Sequence, residues 1–96
     1  MESLFTVEGS FELPGLGCVI AGFLPHDAHV PLRVDDTLIL ERPDGHAIQL
    51  KVRGFPMVNF GRRPNHIHFS IQLPIDVSPS DVPVGTRVFL RSNAPG

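Results

Sequence analysis

From Phe5 to Leu13 the chain alternates: Phe5, Val7, Gly9, Phe11 and Leu13 fall on one side, Thr6, Glu8, Ser10 and Glu12 on the other. Period two marks a strand with one dry and one wet face. Gly9 interrupts the apolar row, which predicts a bulge or coil as the strand bends around a closed sheet. Pro14-Gly15-Leu16-Gly17 then supplies one fixed φ and two residues tolerant of positive φ, so the chain must reverse. Cys18-Val19-Ile20-Ala21 reads as a return strand buried on both faces, with Gly22 before Phe23-Leu24 as a second bend. This hairpin commits the first quarter of the chain to antiparallel sheet.

The remainder repeats the pattern. Residues 25–31 form a loop holding His26, Asp27 and His29, and Asp35-Asp36 is a tight turn before the strand Thr37-Leu38-Ile39-Leu40-Glu41. Arg42-Pro43-Asp44-Gly45 predicts a hairpin in which Gly45 is the left-handed residue closing a three-residue loop. Its return strand sets His46, Ile48, Leu50 and Val52 against Ala47, Gln49, Lys51 and Arg53. After a connector, Ile67, Phe69, Ile71 and Leu73 are expected to point inward and His66, His68, Ser70 and Gln72 outward. Ser78-Pro79-Ser80-Asp81 reads as the one helical start, stopped by Pro83 and Gly85 after about one turn. A last strand, Thr86 to Leu90, precedes a tail, Arg91 to Gly96, expected to be loose.

Ninety-six residues with 42% hydrophobic and 19% charged side chains, and with ten prolines and nine glycines, suit one globular domain of short strands. We expect a single domain with its core at about residues 4–90. Closing the sheet on itself would remove exposed edges, so the expected fold is all-β, a small closed six- to seven-stranded antiparallel β-barrel. The net charge of −2 gives no overall pull toward nucleic acid or anionic membrane. Cys18 is the sole cysteine, which excludes an internal disulfide or a thiolate cluster. No run approaches the ~18 apolar residues of a membrane span, and no signal segment opens the chain, so a cytoplasmic protein is expected.

The order of these signals resembles the second domain of translational GTPases, the β-barrel of elongation factor Tu and its relatives. The resemblance runs from about Phe5 to Leu90. It rests on Phe11-Glu12-Leu13-Pro14-Gly15-Leu16-Gly17-Cys18-Val19-Ile20-Ala21-Gly22, on Leu32-Arg33-Val34-Asp35-Asp36-Thr37-Leu38, and on Asp81-Val82-Pro83-Val84-Gly85-Thr86-Arg87-Val88. Cys18 stands where the family usually has threonine. Asp35 stands in place of a turn glycine, a change aspartate tolerates because it visits the left-handed region readily. No Gly-x-x-x-x-Gly-Lys-Ser/Thr loop occurs, so nucleotide binding and GTP hydrolysis are not expected. The resemblance implies a barrel that contacts other macromolecules. The segment with which such barrels meet the aminoacyl end of tRNA is here Arg63-Pro64-Asn65-His66-Ile67-His68, different from the usual alanine-glycine-aspartate turn.

The binding residues expected from the sequence are Arg62, Arg63, Asn65, His66 and His68. Arg62 and Arg63 are the one paired cationic spot, and with Lys51 and Arg53 nearby they would make a small anion-binding face; otherwise the pair lies in a solvated loop. Alternatively, His66 and His68, two apart on one strand face, could share a metal ion. That site needs a third ligand, with His26, His29, Asp27 or Asp76 as candidates, and without one the two imidazoles are simply solvated. Phe55, Pro56, Met57, Val58 and Phe60 are expected to plug the barrel mouth; left exposed, Met57 and Phe60 would form a docking spot. No nucleophile, base and acid assemble from local motifs. The expected function is therefore a stand-alone, non-enzymatic binding module for a protein or RNA partner, without cofactor. A metal-binding protein and a structural, oligomer-forming subunit are the alternatives.

Overall fold

The computed structural model describes residues 3–58 and 61–91. Seven strands run in chain order: β1 Phe5–Thr6, β2 Gly9–Leu13, β3 Gly17–Pro25, β4 Thr37–Glu41, β5 Ala47–Lys51, β6 His66–Gln72 and β7 Arg87–Leu90, with a 3-10 turn at Pro79–Asp81. All pairings are antiparallel. They build a four-stranded sheet ordered β1-β7-β4-β5 and a three-stranded sheet ordered β2-β3-β6. Among the described residues no helix is long and apolar enough to cross a membrane.

The alternating segment at the start is a corner piece serving both sheets. The Val7 amide donates to the Thr86 carbonyl at 2.8 Å and the Glu8 amide to the Ala21 carbonyl at 2.8 Å, so consecutive amides are committed to different sheets. The dry residues of both sheets meet in one core. Val7, Ile20, Leu38, Leu40, Ile71 and Val88 are fully buried there, each stabilising the fold by about 1.5–3 kcal/mol.

The turns form as their residues dictate. Gly15 and Gly17 both take φ +80, and the Leu16 amide closes the first turn on the Leu13 carbonyl at 3.0 Å. Asp35 adopts φ +76, and Gly45 takes φ +92 in its three-residue hairpin loop. At Ser78 the backbone N–H donates to the Asp81 carboxylate at 3.0 Å, while the Ser78 hydroxyl pairs with that of Ser80.

Four expectations need correction. Gly22 is no bend: β3 runs through it unbroken. A Cβ there would lie 2.5 Å from the Phe5 ring and 2.8 Å from the Thr6 carbonyl oxygen, so the glycine is needed for β1 to cross β3 closely. On β6, Ile67 is 43% exposed although expected inside, and Ser70 only 6% exposed although expected outside. The third is Arg91, expected to begin a loose tail: its amide donates to the Thr37 carbonyl at 3.0 Å, extending the ladder, while residues 92–96 lie outside the described residues.

The fourth correction is that the ladders do not run as a single closed ring of strands. Beyond β5, Arg53 and Gly54 face the single residue Gln72: the Arg53 amide donates to the Gln72 carbonyl and the Gln72 amide to the Gly54 carbonyl, each at 2.9 Å. Two residues against one is a bulge. A Cβ on Gly54 would sit 2.8 Å from the Gln72 side-chain oxygen. Continuing that register would set Pro56 opposite Ser70, and proline has no N–H to donate, so pairing between β5 and β6 ends at one bridge.

Candidate functional site

The register of β3 against β6 sets Phe23 opposite His68, Leu24 opposite Ile67 and Pro25 opposite His66. Residues alternate across a sheet, so Phe23, His66 and His68 share the face turned away from the core. Just before β6 the chain turns tightly. The His66 amide donates to the Arg63 carbonyl at 3.1 Å, and Asn65 takes φ +61, a left-handed conformation that asparagine tolerates.

Arg63 swings back from this turn over the sheet. Its guanidinium lies 4.6 Å from the Phe23 ring centroid and forms an ion pair with Glu8. The Phe23 ring meets the His68 ring edge to face, centroids 6.0 Å apart at 69°. His68 Nε2 lies 3.4 Å from the Ser70 hydroxyl. His66 Nδ1 is 2.8 Å from the Pro64 carbonyl oxygen; a carbonyl only accepts, so Nδ1 carries the proton and donates. The Asn65 carbonyl accepts the His26 amide at 3.1 Å and His26 Nδ1–H at 3.3 Å, tying the 25–31 loop to the same turn.

The five residues expected to bind thus come to one end of the three-stranded sheet, but in different conditions. Arg63 is tied to Glu8 and Phe23. Arg62, Asn65 and His66 are exposed, and among the described residues Arg62 makes no ion pair. Lys51 and Arg53 do not join them. Lys51 pairs opposite Thr37 in the other sheet, and Arg53 sits at the Gln72 end of β6, about 20 Å along the strand from His66. The two histidines turn to different partners, and among the described residues no group of three or more His, Cys, Asp or Glu is placed to hold a metal ion.

Two shallow grooves flank His68. One is lined by Phe23, Arg62, Arg63, Pro64 and His66. The other, about 480 Å³, lies between residues 55–58 and Phe69 and Ser70 of β6. The connector is therefore not simply a plug: Met57 is fully exposed and Phe55 39% exposed, although Phe55 does reach the Phe69 ring at 5.9 Å. Phe60 lies outside the described residues. Cys18 is buried, which pushes its thiol pKa up and leaves it unsuited to nucleophilic work.

Sequence reasoning missed Glu8, Phe23 and Ser70, and offered His26 only as a candidate metal ligand. Glu8 and Phe23 carried a faint signal, an acid and an aromatic on outward positions of two adjacent strands; His26 and Ser70 join through register alone. No family model, no curated protein and no solved structure matches the chain.

Proposed function

We propose that the chain is a non-enzymatic binding module that receives a protein partner on the outer face of β3 and β6, around Arg62, Asn65, His66 and His68. One observation carries the reading: an exposed arginine without a counter-ion among the described residues stands beside an aromatic and imidazole platform that Arg63 and Glu8 lock in place. Pre-ordered aromatic and arginine groups lose little entropy on binding and suit anchor positions. A protein fits better than RNA because the Arg63 charge is already met by Glu8 and the neighbouring groove is apolar. Phosphate backbones call for several uncompensated cations.

The same proposal takes the two-sheet fold to be akin to the second domain of translational GTPases, opened where the ladder from β5 to β6 stops. Its support is that the two sheets are joined on both margins, by the shared segment from Phe5 to Leu13 and by the Gly54 to Gln72 bridge, and that Asp35 takes the left-handed turn geometry in place of a glycine.

The test is site-specific photocrosslinking in extract of the source cells, with a photoreactive side chain replacing His66 or, as control, the exposed His46 of the far hairpin. We expect protein adducts from position 66, few from position 46, and loss of the former in Arg62→Glu. Nucleic-acid adducts, or equal yields from both positions, would refute the reading.

A further inference from the structure

β5 is the end strand of its sheet, and its outer edge is open. The Arg42 amide donates to the His46 carbonyl and the Val52 amide to the Asp36 carbonyl, so His46 and Val52 turn their backbone groups toward β4 and its continuation. Direction alternates along a strand, and the backbone groups of Ala47, Gln49 and Lys51 therefore turn away. The Arg53 amide belongs to the same outward set and reaches Gln72. Ala47, Gln49 and Lys51 are all exposed, and among the described residues their outward N–H and C=O groups have no backbone partner. This free stretch is bounded by the turn at Pro43-Asp44-Gly45 on one side and by the Gly54 to Gln72 bridge on the other.

We propose that this edge pairs with the same edge of a second copy of the chain, antiparallel about Gln49, joining two four-stranded sheets into one. The register that uses the whole stretch sets Gln49 against the partner's Gln49 and Ala47 against the partner's Lys51 as hydrogen-bonded pairs, with Ile48 against the partner's Leu50 between them. Ile48 and Leu50 are half-buried beside a groove of about 440 Å³ that also runs along Pro74 and Val77. Pairing covers the exposed part of both. Lysine on an edge strand ordinarily deters such pairing. Here each Lys51, which makes no ion pair among the described residues, faces an alanine and not a like charge. The other cross-strand neighbour of that alanine is Glu41, and the alanine side chain is short enough for the ammonium to reach over it toward the carboxylate. Opposite charges across strands favour the pair. The edge lies in the other sheet from the β3–β6 face, so this inference stands apart from the partner reading above.

The test is sedimentation velocity of the full chain from micromolar to millimolar concentration, read by interference because the chain lacks tryptophan and tyrosine. We expect the average mass to rise from that of one chain to that of two. Gln49→Pro removes only an outward N–H and leaves the bonds to β4 in place, as proline on an edge strand does. In the dimer it deletes one bond from each copy, and at about tenfold per bond it weakens association by about a hundredfold, with an unchanged circular dichroism spectrum. Lys51→Glu brings two acids together across Ala47 and weakens the dimer severalfold, and adding Ala47→Lys restores it by setting opposite charges face to face. The mass of one chain throughout, a dimer indifferent to Gln49→Pro, or no rescue by Ala47→Lys overturns the proposal. Should Gln49→Pro disturb the fold, the charge exchange alone decides. Crosslinking from position 66 reports on the other sheet, and a self-adduct from position 46, at the end of this edge, is recognised by its doubled mass.

Discussion

Replacing Gly22 by alanine tests the close crossing of β1 over β3. Gly22 has no positive φ, so its backbone suits alanine, and on an open strand the change would stabilise by about 0.4–1 kcal/mol through the unfolded state. Here the new methyl carbon would lie 2.5 Å and 3.0 Å from two Phe5 ring atoms and 2.8 Å from the Thr6 carbonyl oxygen. Neither neighbour yields easily. Phe5 is 5% exposed and held edge to face on Phe69 at 5.7 Å, and Thr6 is paired with Arg87. Overpacking of this kind costs about 1–3 kcal/mol, so after the unfolded-state gain is subtracted we expect a net loss of about 1.3 kcal/mol. At about 4–8 °C per kcal/mol for a domain of this size, the midpoint falls by about 5–10 °C. The chain has neither tryptophan nor tyrosine, so urea and thermal unfolding are followed by far-ultraviolet circular dichroism. Phe5→Leu in the alanine background should cost less than Phe5→Leu alone, because it relieves the clash. A neutral or stabilising Gly22→Ala would refute the reasoning.

Arg63→Ala removes an exposed ion pair and a cation–π contact, together about 1 kcal/mol, whereas Arg62→Ala leaves the thermal midpoint within a degree or so; equal shifts would show that Arg63 is not a locking residue. Cys18 should resist thiol reagents in the native protein at pH 8 and react fully in urea, and stoichiometric native labelling within minutes would contradict its burial. The His46 backbone N–H, joined by its side chain, holds the Asp44 carboxyl below its usual range. A depressed folded pKa stabilises above the unfolded value and is lost as pH falls through the folded one, so the difference between wild type and Asp44→Ala is constant above about pH 5 and shrinks below about pH 4. Zinc should not raise the melting temperature of the wild type relative to His66→Ala/His68→Ala, since the two rings engage different partners.

Turns and strand periodicity were readable because each depends on a few adjacent residues. Gly15, Gly17 and Gly45 take the left-handed conformations their turns require, and Asp35 does so without being glycine. What lay beyond reach depends on register between distant strands. Alternation places His68 on the outer face of β6, but only the pairing with β3 brings Phe23 against it, and only the turn at Asn65 returns Arg63 over that ring. The same limit explains Gly22 and Gly54. Gly22 reads locally as a bend and Gly54 as the start of a connector, yet a Cβ would come within 3 Å of the Phe5 ring and the Thr6 carbonyl at Gly22 and of the end of the Gln72 side chain at Gly54. Pro56 reads from the sequence only as part of the apolar connector, and it is the Gly54 to Gln72 bridge that sets it in register with Ser70.

The position of β7 governs when the molecule can exist at all. It is the last of the described strands in chain order, and it stands between β1 and β4, inside the four-stranded sheet. Until Arg87–Leu90 leave the ribosome, Phe5–Thr6 has no mate and Leu38, Leu40 and their neighbours lack one wall of the core. β1 therefore finds its mate only through contacts about eighty residues away, the kind of long-range closure that slows folding. A chain cut short of Arg87 thus loses the strand that joins β1 to β4 and is no smaller version of the domain.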